Sequence, residues 1–191
     1  MVPTEKFPSS APSSYGGGVA RDPLTELALR AQAGDRVALS DLVRATQADV
    51  WRVCAHLADR GQADDLTQEV YLRALRSLPT FRGDSSARTW LLAIARHTAI
   101  DSVRASVRRR AMVAKIRPPD PAEDTSASTE LEDLLAELDP DRRSAFVLTQ
   151  VAGCSYDEAA EICGCPVGTI RSRVARARAD LIDVLRRAEA T

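Results

Sequence analysis

Between Leu24 and about Arg110 apolar positions recur at helical intervals, interrupted at Gly34, at Gly61 and between Pro79 and Ser86. Such spacing predicts amphipathic helices separated by short turns. Residues 111–129 (AMVAKIRPPDPAEDTSAST) hold three prolines and little periodicity, which predicts a linker. Helical spacing returns from Glu130 to Glu189, where Leu131, Leu134, Leu135 and Leu138 share one stripe. No stretch alternates as a half-buried strand would. Residues 1–22 are rich in Pro, Ser and Gly and cannot bury enough apolar surface to offset ordering, so a disordered tail is expected. The expected fold is all-α: a tail at 1–22, a helical domain at 23–110, a flexible linker at 111–129, and a second helical domain at 130–191.

The second domain carries the sharper local signals. In SYDEAAEICGCPVGTIRSRVARARA, Ser155 and Glu158 form a capping box that starts a helix. Gly164 suits the left-handed residue that stops it, and Pro166 suits the first turn of the next. This is a helix-turn-helix. On its second helix Ile170, Val174, Ala177 and Leu181 form one apolar stripe. Gly168, Thr169, Ser172 and Arg176 project on the other side, and Arg171, Arg173 and Arg178 flank the stripe. A helix buried on one side and carrying Arg and hydroxyls on the other fits the major groove. Arg can grip guanine O6 and N7 with two hydrogen bonds, and amides near a helix start can hold phosphate.

In ADDLTQEVYLRALRSL of the first domain, Ala63, Tyr71, Ala74, Leu75 and Leu78 are expected on the core face. Asp65, Glu69, Leu72 and Arg76 fall opposite them, and a Leu set among charges points to a protein-binding face. From Trp90 onward Leu92, Ala95, Ala99 and Val103 are expected in the core, with Trp90, Ile94, His97, Asp101 and Arg104 opposite. Trp, His and Arg on one face can stack on unpaired bases and track phosphate, although Trp90 serves equally well as a core anchor. Arg96 and Arg104, near the run Arg108 to Arg110, are nucleic-acid candidates.

Composition narrows the classes. The chain has 191 residues, of which 45% are hydrophobic and 28% charged, ordinary for a globular protein. The net charge of -1 hides segregation: residues 120–165 hold 12 acids against Arg142 and Arg143, whereas 24–110 and 166–187 carry a surplus of Arg. A neutral sum built from opposed blocks points to a polyanion met by local basic surfaces and to a second, basic partner. The acidic block could also close onto the basic face of the first domain. No apolar run reaches the roughly 18 residues of a membrane span. MVPTEKFPSS lacks the apolar core of a signal peptide, so a cytoplasmic location is expected. Cys154, Cys163 and Cys165 lack the paired C-x2-C units and nearby His of a zinc site, so they are read as structural and no metal is expected. With no phosphate loop and no recognisable triad, neither an enzyme nor a cofactor is expected.

LDPDRRSAFVLTQVAGCSYDEAAEICGCPVGTIRSRVARARADL resembles region 4 of the extracytoplasmic-function (ECF) sigma factors of bacterial RNA polymerase, and DDLTQEVYLRA and FRGDSSARTWLLAIARH resemble regions 2.2 and 2.3–2.4. TQADVW and SSARTWLLAIARH further resemble an actinobacterial, sigma factor C-like subgroup. The resemblance implies an alternative sigma factor without chemistry of its own. Asp65, Gln68, Glu69, Leu72 and Arg73 would dock on the clamp coiled coil of core RNA polymerase, and the acidic segment would lie near its flap. Phe81, Arg82, Arg88, Trp90, Arg96, His97 and Arg104 would meet and open the −10 element. The loop from about Arg82 to Arg88 lacks the aromatic of many relatives, which leaves Phe81 and Trp90 as candidate walls of a base pocket. Gly168, Thr169, Arg171, Ser172, Arg173 and Arg176 would meet the −35 element. Promoter DNA, core polymerase and an anti-sigma factor are the implied partners. The alternative from the residues alone is a helix-turn-helix regulator that acts without binding polymerase.

Overall fold

The computed structural model describes residues 22–116 and 130–189. Among the described residues there are eight helices and no strand. Helices α1 (Pro23–Gln32), α2 (Arg36–Leu57), α3 (Ala63–Ser77) and α4 (Ala87–Ile116) form the first module. Helices α5 (Glu130–Ala136), α6 (Pro140–Phe146), α7 (Tyr156–Cys163) and α8 (Val167–Glu189) form the second. The expected tail, save Asp22, and residues 117–129 of the expected linker lie outside the described residues.

Local chemistry starts these helices. Asp22, Asp35 and Asp139 each accept backbone amides of the following turn, so carboxylates satisfy the orphan donors of α1, α2 and α6. α4 runs to Ile116, six residues past the expected end at Arg110. The prolines that pointed to a linker begin only at Pro118, and they restrict the residue before them rather than the turn before that.

Leu42, Val50, Val53, Val70, Leu91 and Leu92 are buried in the first module, and Leu135, Leu148, Ile162, Ile170 and Val174 in the second. These residues belong to one continuous apolar cluster, because α4 packs on α7 and α2 packs on the turn after α6. That turn, Val147–Val151, is a π-helix. Several expected faces shift accordingly. On α3 the core side is Ala63, Leu66, Val70 and Ala74, whereas Leu75 is exposed. On α4 Ile94 is buried together with Leu92, since this helix is covered from both sides, and Val103 is exposed beyond the covered stretch. In α5 Leu135 is buried and Leu131 exposed.

Candidate nucleic-acid interface

The helix-turn-helix follows its sequence signals closely. Ser155 and Glu158 make both bonds of the capping box, at 3.1 and 2.7 Å. Gly164 ends α7 with φ of 63°, a left-handed conformation that a Cβ would strain. Pro166 sits one position earlier than expected, with its carbonyl accepting the Thr169 and Ile170 amides and α8 beginning at Val167. Ile170, Val174 and Ala177 are fully buried, which fixes the rotation of α8. Gly168, Arg171, Ser172 and Arg176 are thereby turned to solvent, with Thr169 half-buried. Arg173 is different: it is ion-paired with Asp141 of α6 and contacts the Cys165 sulfur at 3.6 Å. Its guanidinium ties α8 to α6 instead of facing outward. Arg178 is likewise held by Gln150 at 2.7 Å.

The first module does not bring its candidates to one side: Arg88 and Arg96 face the second module, whereas Trp90 packs on Phe81. Arg82 is exposed and paired with Asp84 at 3.0 Å; His97 and Arg104 are exposed. Phe81 is only 7% exposed and lies against Trp90, ring centroids 4.9 Å apart. The two candidate pocket walls therefore touch each other, with Phe81 in the core and Trp90 half-buried. Arg88 donates to Asp49 at 2.8 Å, to the Ala152 carbonyl and to the Cys154 sulfur. Burial works against its charge, and Asp49 more than offsets that, so its pKa is raised. Arg96 is buried, with its Nε unpartnered and one terminal nitrogen 3.6 Å from Asp141. Asp141 thus faces both Arg96 of α4 and Arg173 of α8.

Two further contacts join the modules. Arg60 pairs with the buried Glu132 at 3.2 Å. Arg143 donates to the His56 and Ala58 carbonyl oxygens. Burial lowers the pKa of Arg143, with Glu132 opposing. Burial likewise lowers that of His56, whose Nδ1 has no partner. Burial pushes the Cys163 thiol up to about 11, so it stays protonated near neutrality.

On α3, Asp65, Gln68 and Leu72 are exposed while Glu69 and Arg73 are half-buried. Arg73 bonds Glu69 at 2.8 Å and Asp101 at 3.1 Å. Leu72 is 49% exposed, and Leu75, assigned to the core from sequence, joins it at the surface at 44%. Leu75 could have been found from the register of Leu66 and Val70, which lie on the true core side.

Two helical modules, one with a charged-apolar face on α3 and the other a helix-turn-helix with an Arg-bearing outer side, fit the class of DNA-binding proteins. Residues 42–109 match the family model "Sigma-70 region 2", and residues 128–181 match "Sigma-70, region 4". The ECF RNA polymerase sigma factor SigC of Mycobacterium tuberculosis is 50% identical over 165 residues, which cover 83% of this chain and 89% of that protein. CnrH, solved in complex with the cytosolic domain of CnrY, superposes with a TM-score of 0.68 at 26% identity, covering 84% of this chain and 96% of that one. RpoE of Bartonella quintana, solved with the anti-sigma factor NepR, gives 0.65 at 28%, covering 78% and 96%. The chain belongs to the ECF sigma factors of the sigma-70 family, and as such it is an alternative sigma factor that directs RNA polymerase to promoters. The match to region 2 sets aside the stand-alone regulator, which left the first module unexplained.

Proposed function

We propose that promoter choice is divided between the modules as follows. The outer face of α3, with Asp65, Gln68, Glu69, Leu72 and Arg73, docks on the polymerase clamp. Gly168, Thr169, Arg171, Ser172 and Arg176 of α8 read the −35 element, and Arg173 supports them from behind. Arg82, Arg88, Trp90, Arg96, His97 and Arg104 meet the −10 element, with Phe81 backing Trp90.

Opening DNA costs on the order of 1.4 kcal/mol per base-pair step, which capture of extruded bases and release of phosphate counterions can offset. Two weak DNA modules on one tether gain by effective concentration once the polymerase fixes their spacing. The protein supplies surfaces and no bond chemistry, and it works in the cytoplasm.

The packed arrangement of the two modules is a resting state. Arg88 and Arg96 are engaged by the second module, so they meet DNA only after the modules part. An anti-sigma factor, as found with the Bartonella quintana RpoE, is a further partner class that could hold or replace this state.

The observation carrying this reading is the side-chain segregation on α8: Ile170, Val174 and Ala177 buried, with Arg171, Ser172 and Arg176 exposed. Co-purification with core polymerase tests the docking half. Wild-type chain is retained, and Leu72→Asp, at an exposed position, is released without loss of fold. Equal retention of both would overturn the assignment of α3.

A further inference from the structure

Residues 81–86, between α3 and α4, form neither helix nor strand. α4 holds the two ends of this loop, through Phe81 against Trp90 and through Ser86, which accepts the Thr89 amide at 3.0 Å, and α1 braces it from outside. At the start of the loop the Gln32 side-chain amide donates to the Phe81 carbonyl at 2.7 Å and the Leu78 carbonyl at 2.9 Å, with the Pro79 carbonyl at 3.2 Å. At its end the buried Thr25 hydroxyl accepts the Ala87 amide at 2.8 Å. That amide is the first of α4 and has no partner within its own helix. The Thr25 hydroxyl gives its own proton to the Asp22 carboxylate, which leaves a lone pair directed at Ala87. In the middle Gly83 has φ of +71°, and a Cβ there would sit 3.6 Å from the Thr25 methyl and 3.9 Å from Leu29. The loop therefore rests on α1 at its start, middle and end. α1 lies outside residues 42–109, the part matched to sigma-70 region 2.

We propose that Gln32 and Thr25 are positioning residues for −10 recognition: α1 touches no DNA, yet it holds loop 81–86 in the shape that discriminates bases. This rests on the reading that this loop meets the −10 element. Between Phe81 and the Ser86 cap of α4 no helix or sheet ladder stiffens the loop, so removing the α1 anchor lets it sample shapes in which Arg82 and the start of α4 no longer line up with one base. Fold stability alone would affect every activity equally; positioning affects the −10 element selectively.

The test uses reconstituted holoenzyme and a promoter pool randomised over the −10 positions, built on any promoter recovered by run-off transcription of genomic fragments. Three variants are compared: Gln32→Met, which keeps length and loses the donors, Thr25→Val, which keeps shape and loses the hydroxyl, and Thr25→Ser, which restores it. Gln32→Met and Thr25→Val are expected to lower −10 base discrimination about fivefold to tenfold each, with core-polymerase affinity and −35 discrimination unchanged. Thr25→Ser keeps wild-type discrimination, and amide exchange at Ala87 speeds up only in Thr25→Val. Gln32 is exposed, so Gln32→Met folds and decides the matter even where Thr25→Val does not. Undiminished −10 discrimination in Gln32→Met overturns the proposal, as does a parallel loss of core affinity and −35 reading. The double variant Arg82→Ala, Asp84→Ala separates the two levels. If it changes −10 discrimination while Gln32→Met does not, only the α1 brace fails. If it changes nothing, the loop assignment fails and the brace with it.

Discussion

Arg143 donates its Nε hydrogen to the His56 carbonyl oxygen at 2.6 Å, so a side chain of the second module caps the C-terminus of α2 in the first. The carbonyls at a helix end carry partial negative charge and need donors. Here the donor is a largely buried guanidinium balanced by Glu132, which is itself buried. The cap depends on the modules staying together; Glu132 lies in the same module as Arg143 and reaches across to Arg60.

Arg143→Ala leaves those carbonyls without their donor, while Glu132 keeps Arg60, a change expected to weaken module closure by about 1–3 kcal/mol. Small-angle scattering should then report a larger radius of gyration for the free protein. An unchanged radius would contradict closure through this contact.

His56 makes closure pH-dependent. Burial holds its pKa below the ordinary 6.5; Arg60 and Arg143 push in the same direction, and Glu132 opposes them. The closed state binds the neutral ring, whereas the open state takes up a proton at the ordinary value. Closure is therefore fully stable above about pH 6.5 and weakens as pH falls below it, toward the lower closed-state pKa. Inter-module fluorescence transfer should fall on acidification, and His56→Gln should flatten that response between about pH 7 and pH 5, from just above the ordinary imidazole value to well below it.

The α8 arginines should separate by role. Arg171→Ala and Arg176→Ala are each expected to reduce discrimination at the −35 element by about 1–3 kcal/mol, with the thermal midpoint unchanged because both side chains are exposed. Arg173→Ala removes the tie to Asp141 and is expected to lower the thermal midpoint more than it alters base preference. Transcription from −35 variants alongside thermal melts checks both halves.

Local signals explain what was legible in the sequence. Ser155, Glu158 and Gly164 act within one or two turns, so the helix-turn-helix could be placed to within a residue. The stripe from Ile170 to Ala177 has a single buried side, and helical spacing alone finds it. α4 defeated the same method because the second module covers a second side of it, and Ile94 is buried for that reason. The engagement of Arg88 by Ala152, and that of Arg96 by Asp141, spans more than forty positions of sequence in each case and has no local signature. Among the contacts between the modules, Glu132 with Arg60 and Asp141 with Arg96 pair an acid of the 120–165 block with a base of 24–110; Arg88 and Arg143 reach backbone carbonyls instead. The π-helix at Val147–Val151 has no sequence cue; after it, the Ala152 carbonyl accepts from Arg88.

The most direct measurement is run-off transcription with core polymerase over a library of genomic fragments. The wild-type chain should yield discrete transcripts that core polymerase alone does not make. These should be lost with Leu72→Asp and strongly reduced with the double variant Arg171→Ala, Arg176→Ala. Transcripts that ignore all these substitutions, or no transcript from any fragment, would contradict the assignment of polymerase docking to α3 and promoter reading to α8.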